Sequence, residues 1–175
     1  MRDAAFARDG AALVAPMTLE IGEGERIARA FGNAREAAIA ALMACGGVKA
    51  SSGTLFVDGF DPKLQPTQCK RIAGYVPHEL LPLEFDSFER YVDYRAALWS
   101  LDPASALARG RRLLEKLEGV HESFAYPLVG ALLADPKLLV LDRPLAAFAP
   151  QMLAVARGRA IFSTHASIED AAAWA

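Results

Sequence analysis

Residues 27–39, written IARAFGNAREAAI, decide the fold of this chain. The stretch 25–31 is predicted to form a β-strand, and residues 32–33 are predicted to form a tight turn after it. The alanine-rich stretch 34–45 contains no helix breaker, and the two glycines at 46–47 predict where that helix ends. These residues therefore predict the order strand, tight turn, helix.

The rest of the chain alternates between predicted strands and predicted helices. Continuous apolar runs such as Lys137–Leu141 are typical of buried parallel strands, so we expect an α/β domain with a mainly parallel sheet. We expect a single domain over 1–175, in which a helical stretch over about 85–125 is an insertion. The other predicted strands are 12–21, 53–57, 74–76 and 160–163, and the other predicted helices are 88–101, 104–117 and 168–174.

Composition excludes several classes of protein. The 175 residues suit one domain, and the net charge of −2 gives no support for nucleic-acid binding. No apolar stretch is long enough to span a membrane, and no signal core follows Met1. Cys45 and Cys69 lack metal-site spacing, so we expect buried, reduced thiols.

The strand, turn and helix lie where the motif G-x-x-x-x-G-K-[ST] would fall in a nucleotide-binding P-loop. In one register, the lysine and hydroxyl positions of that motif hold Ala37 and Ala38. Shifted by one residue, the same positions hold Ala38 and Ile39. Neither register supplies the cation or the magnesium-binding hydroxyl, so the local architecture and the local chemistry disagree.

Five further segments, in order, carry a resemblance to a known family. They are LEIGEGE at 19–25, SGTLFVDG at 52–59, IAGYVP at 72–77, LADPKLLVLD at 133–142 and STH at 163–165. With them, nearly the whole chain resembles the ATP-binding cassette of ABC transporters. The resemblance implies a P-loop NTPase-like fold: a mainly parallel sheet flanked by helices, an antiparallel β part and a shortened helical insertion.

The resemblance also implies a role for particular residues. Asp142 matches the magnesium-associated carboxylate of the family, and His165 matches its switch histidine. Arg143 stands where the catalytic glutamate would be, and a permanently charged guanidinium cannot act as a general base. His78 replaces the expected glutamine, and no LSGGQ-like signature is present. The resemblance therefore implies the cassette scaffold without most of its catalytic groups.

The residues of the former P-loop allow more than one interpretation. Asn33 followed by Glu36 is a capping-box pattern, which would satisfy the N–H groups that otherwise hold phosphate. Glu36 would also repel phosphate by about 1 kcal/mol or more. Residual phosphate binding is the competing interpretation. We further hypothesise an ion pair between Glu36 and Arg143, against the alternative that Arg143 points to solvent.

Several other side chains also have two interpretations. Phe6 is a candidate for stacking on adenine or for core packing. Tyr91, Tyr94 and Trp99 are candidates for a membrane-subunit interface or for the core, and residues 78–82 belong to the same docking region. His165, alone at a strand end, is better explained as a hydrogen-bonded structural histidine than as a phosphate contact.

The function we expect is that of a pseudo-ATPase, which docks on a membrane permease or a partner cassette and requires no cofactor. A homodimer is compatible with this interpretation, and the expected location is cytoplasmic or peripheral at the inner face of a membrane. One alternative is Mg-ATP binding through atypical ligands such as Arg35, Arg143 or His165, with Asp142 on the metal. Another alternative is a free-standing regulatory or scaffold domain. The expected vestigial nucleotide site comprises Phe31, Gly32, Asn33, Ala34, Arg35, Glu36, Ala37, Ala38, His78, Asp142, Arg143 and His165.

Overall fold

The structure is a computed structural model that describes residues 1–78 and 85–174. One of its sheets is three-stranded and antiparallel, in the order β2-β1-β4. Its strands are β1 (Arg2–Arg8), β2 (Ala11–Met17) and β4 (Ser52–Thr54). Both predicted strands in this part are shorter than expected, because pairing of β2 with β1 stops at Met17 and β4 ends at Thr54.

The other sheet is four-stranded, with the order β3-β7-β6-β5 and parallel pairing throughout. Its strands are β3 (Arg26–Ala30), β5 (Ala73–Val76), β6 (Leu138–Asp142) and β7 (Ala160–His165). The two central strands, β6 and β7, are the continuous apolar runs of the sequence. The α/β architecture with a mainly parallel sheet and an antiparallel part is thus confirmed.

Helices surround the parallel sheet. The predicted ones are present as α1 (Ala34–Ala44), α3 (Phe88–Trp99), α4 (Pro103–Glu115) and α7 (Ile168–Ala172). Three helices that the sequence analysis missed are α2 (Pro66–Ile72), α5 (Glu122–Leu132) and α6 (Ala149–Val155). Because α5 extends to Leu132, the helical stretch is longer than the predicted 85–125. None of the helices within 1–78 and 85–174 is long and apolar enough to cross a membrane.

The core divides into two clusters, one on each face of the parallel sheet. Successive side chains of a strand point to opposite faces, so Leu139 and Leu141 of β6 join one cluster and Val140 joins the other. The first cluster contains α3 to α6, whereas the second contains α1 and the antiparallel sheet. Cys45 and Cys69 are buried free thiols in the second cluster, as expected, and burial raises the pKa of Cys45 to about 11.

Candidate functional site

The carboxyl ends of β3, β6 and β7 bring the predicted site residues to one edge of the sheet. Ala30 is opposite His165, and Asp142 is opposite Thr164. The backbone N–H of Phe31 donates to the carbonyl oxygen of His165 at 2.9 Å, which fixes the chain just before α1 begins. The start of α1, the end of β6 and the end of β7 therefore lie side by side.

The N-terminus of α1 is capped by its own side chains. The side chain of Asn33 accepts a hydrogen bond from the N–H of Glu36 at 2.9 Å, as the capping-box spacing predicts. The Glu36 carboxylate reaches back and accepts the N–H of Gly32 at 3.3 Å, one residue earlier than in the usual box. Two backbone donors at this turn are thus satisfied within the chain.

The positions that correspond to phosphate ligands carry mostly small apolar side chains. Ala37 is fully buried, and Ala38 is half-buried. Ala34 and Arg35 are exposed, and Arg35 is the cation of the first turn of α1. The turn therefore presents Arg35 to solvent and one carboxylate, that of Glu36, to its own backbone.

Asp142 lies at the end of β6 and is only 4% exposed. One of its carboxylate oxygens, Oδ1, is 3.0 Å from Nε of Arg143 and 3.4 Å from the Thr164 hydroxyl. The other, Oδ2, accepts the Tyr75 hydroxyl at 3.4 Å. Burial, reinforced by the Asp142 carboxylate, raises the pKa of Tyr75, which stays a neutral donor. The buried carboxylate is therefore neutralised by a guanidinium and hydrogen-bonded by two hydroxyls.

The Arg143 side chain folds back onto its neighbour Asp142, and the Arg143 backbone is left-handed, with φ of +46°. Its N–H donates to the carbonyl oxygen of Thr164 at 2.9 Å, and its own carbonyl lies 2.9 Å from Nδ1 of His78. Since a carbonyl only accepts, Nδ1 of His78 must carry the proton. The hypothesised ion pair between Glu36 and Arg143 is wrong, because Arg143 pairs with Asp142. The solvent-pointing alternative is also wrong, since the Arg143 side chain is only 18% exposed.

His165 is a buried histidine with a local partner. Its ring nitrogen Nε2 lies 2.8 Å from the hydroxyl of Ser163, and the residue is 1% exposed. Burial lowers the pKa of His165, so the ring is neutral at pH 7. The arrangement is that of the hydrogen-bonded structural histidine.

The carboxyl end of β6 borders one small cavity. The cavity beside Asp142 and Arg143 has a volume of about 20 Å³, roughly one water molecule. His78, Phe124 and Met152 close its other sides. Within the described chain, no group of three or more histidine, cysteine, aspartate or glutamate side chains is placed to hold a metal ion.

Comparison with known proteins identifies the architecture. No protein-family model matches the chain. The solved ATP-binding subunit of an ABC transporter superposes with a TM-score of 0.78 at 17% identity, covering 99% of this chain and 81% of that one. The fold is that of an ABC cassette.

Two further ABC cassettes have the same fold. One is cbiO1 from Clostridium perfringens, part of the ABC transporter complex cbiONQ, with a TM-score of 0.76 at 18% identity over 95% of this chain and 77% of that one. The other is a bacterial ABC transporter cassette solved as a dimer, with a TM-score of 0.75 at 14% identity over 99% of this chain and 90% of its own. The fold implied by the sequence resemblance is thereby confirmed.

The ABC cassette fold also places the aromatic candidates. Tyr91 is buried, and its ring lies 5.4 Å from that of Phe85, so it is a core residue. Tyr94 is 50% exposed, whereas Trp99 and Phe6 are half-buried. Phe6 packs against the second core cluster. Residues 79–82 of the predicted docking region lie outside the described residues.

The sequence analysis missed the hydroxyl groups that form hydrogen bonds with Asp142 and His165. Tyr75, Ser163 and Thr164 hold Asp142 and His165, yet the sequence analysis quoted them only within strand and motif segments and predicted none of these contacts. A polar residue in an otherwise apolar central strand is the signal that could have identified Ser163 and Thr164, since buried hydroxyls need partners.

Proposed function

We propose that this chain is a pseudo-ATPase cassette, which docks on a membrane permease or on a partner cassette without hydrolysing ATP. The observation that carries the proposal is the ion pair between Arg143 and Asp142. In a cassette that hydrolyses ATP, the aspartate is associated with magnesium and the next residue is the general base. In this chain the next residue is Arg143, whose guanidinium forms an ion pair with the Asp142 carboxylate.

The residues present do not fit Mg-ATP. Oδ1 of Asp142 already faces both Arg143 and Thr164, so a divalent cation would have to displace or repel the guanidinium. Ala37 supplies no cation for the phosphates, and the Glu36 carboxylate occupies the Gly32 N–H that could bind a phosphate oxygen. Each of these features weakens nucleotide binding for a separate reason.

Docking is supported by the surface of α3. Tyr94 and Leu98 lie four residues apart, so they share one face of the helix, and they are 50% and 55% exposed. Burial of these two adjoining side chains against a partner would remove apolar surface from water. Of the two further cassettes described above, one was solved as a dimer and the other is part of a transporter complex, which also favours a partner for this chain. We place the protein on the cytoplasmic side of the membrane.

Phosphate release from Mg-ATP tests the catalytic half of the proposal. The purified chain should release no phosphate above a buffer blank. Turnover that disappears in Asp142→Asn would overturn the proposal, because that variant removes the carboxylate and leaves any contaminating ATPase unchanged.

Retention of a membrane partner tests the docking half. Immobilised protein should retain a permease or an intact cassette from detergent-solubilised membranes of the source cells. The double variant Tyr94→Asp/Leu98→Asp should lose that partner, whereas Arg112→Asp, an exposed change on α4, should keep it. Equal retention by all three proteins would contradict docking through α3.

A further inference from the structure

A large cavity lies at the amino end of the parallel sheet. Leu138 and Ala160, the first residues of β6 and β7, line it, and its volume is about 960 Å³. Asp142 stands at the opposite end of β6, about 13 Å away along the strand. Cavities of several hundred cubic ångströms hold small-molecule ligands. This space is therefore separate from the candidate nucleotide site and large enough for a ligand of its own.

The floor of the cavity is apolar. Leu19, Leu55 and Val57 are buried core residues that reach it from the segments flanking the antiparallel sheet. Ile72, at the end of α2, and Leu138, at the start of β6, are half-buried and add to the apolar lining. An apolar ligand body placed here would remove both its own surface and these side chains from water.

One side of the cavity mouth carries an excess of positive charge. The same carboxylate oxygen of Asp135 accepts hydrogen bonds from the guanidinium groups of Arg109, at 2.7 Å, and Arg159. Arg157, two residues before Arg159, is exposed at the rim and forms no ion pair with any residue in the described ranges. This side of the lining therefore carries two guanidinium groups, those of Arg157 and Arg159, and one carboxylate, that of Asp135, which also bonds to Arg109 outside the lining.

The other side of the mouth has no such excess. Lys137 is paired with Asp58 at 2.7 Å, so their charges offset each other. Arg2 is matched by two exposed carboxylates, those of Glu20 and Glu23. The asymmetry assigns an anionic group to the Arg157 side of the mouth and an apolar group to the floor.

We infer that this cavity binds a small organic anion with an apolar body, whose anionic group faces Arg157 and Arg159. Guanidinium groups suit this role because they hold carboxylates, sulfonates and phosphate esters through paired N–H donors. The inference does not depend on the proposed function, because none of the residues involved belongs to the candidate nucleotide site.

Calorimetric titration of the whole chain with 1-anilinonaphthalene-8-sulfonate tests the inference, since this probe is an apolar body with one anionic group. We expect one saturable site with a dissociation constant in the micromolar range. Arg157→Ala should weaken binding by about tenfold or more, which is the effect of losing one charged hydrogen-bond donor. Arg112→Ala, an exposed arginine outside the cavity, should leave the affinity unchanged.

Two blocking variants locate the binding site. Thr54→Trp and Glu23→Trp each add an indole at an exposed position of the cavity lining, where the core need not repack. Each should abolish binding while the melting temperature stays within a few degrees of the parent value. Absence of saturable binding, or unchanged binding in folded blocking variants, would overturn the inference. Unchanged affinity in Arg157→Ala would overturn the assignment of the anionic group.

Discussion

The two ends of the parallel sheet differ in what they offer to a ligand. At the carboxyl end, where open α/β sheets usually bind ligands, the chain's own side chains pair with Asp142 and cap α1, and the cavity beside Asp142 holds only about 20 Å³. At the amino end, an apolar floor and a charged mouth surround about 960 Å³. The same strands supply both ends, so the difference arises from the residues that follow and precede them.

This contrast agrees with the proposed function, in which the fold is kept while its usual site is closed. The central strands depend only on continuous apolar sequence, which β6 and β7 retain. The site depends on a few polar residues at the strand ends, and there Arg143, Glu36 and Asn33 form contacts with their own neighbours.

The largest expected effect comes from truncating β6 at its carboxyl end. Leu141 is 1% exposed, so Leu141→Ala should lower the free energy of unfolding by about 3 kcal/mol through lost burial and a new cavity. Leu138 is half-buried beside the open cavity, so Leu138→Ala should cost only about 1 kcal/mol. Urea unfolding measures both, and equal losses would contradict the difference in packing between the two ends.

The next effect concerns the ion pair that closes the carboxyl end. Arg143→Ala leaves Asp142 buried without its cation and should destabilise the protein by about 2 kcal/mol. In the Asp142→Asn background, the same change should cost about 0.5 kcal/mol, because no buried charge remains. A double-mutant cycle by chemical denaturation measures the coupling. A coupling energy near zero would show that the pair of Arg143 and Asp142 does not contribute to stability.

A smaller effect tests the capped start of α1. Asn33→Ala removes the acceptor of the Glu36 N–H and should cost about 1 kcal/mol in thermal or urea unfolding. Gln65→Ala is the matched control, because Gln65 precedes α2 and its side chain forms no cap hydrogen bond. If the two variants lost equal stability, the Asn33 hydrogen bond would not be the reason for the loss.

The smallest effect is the pH dependence that His165 contributes. The pKa of His165 is lowered in the folded state, so the unfolded chain takes up its proton first as the pH falls below about 6.5. Stability contributed by the neutral ring is present above that pH and decreases on acidification, by less than about 1 kcal/mol down to pH 6. The free energy of unfolding, measured by urea at several pH values, should vary less with pH in His165→Phe than in the parent protein. An identical pH dependence would exclude His165 as its source.

Most of the scaffold could be predicted because its signals are local. The strands β6 and β7 are unbroken apolar runs, and α1 is an alanine-rich segment between a cap and glycines. The helix α5 was missed because Pro127 lies inside it, where it reads as a helix breaker. The strand β1 was missed because only Ala4 among its residues is buried, so the strand lacks a periodic apolar pattern.

Only part of the candidate nucleotide site could be predicted, because only part of it depends on local sequence signals. The Asn33 cap depends on spacing within one turn, which the sequence displays directly. The pairing of Arg143 with Asp142 depends on a left-handed backbone at Arg143 and on hydroxyls from β5 and β7, which are distant in sequence. No local pattern carries that information, so the hypothesised partner of Arg143 was wrong.

Calorimetric titration with Mg-ATP tests the central claim most directly. The Thr54→Trp variant is the protein to use, since its amino-end cavity is blocked and any heat must come from elsewhere. The account predicts no detectable binding up to millimolar nucleotide and an unchanged melting temperature. A micromolar dissociation constant, equivalent to about 8 kcal/mol, that is lost in Thr54→Trp/Asp142→Asn would show that the carboxyl end still binds nucleotide and would contradict the account.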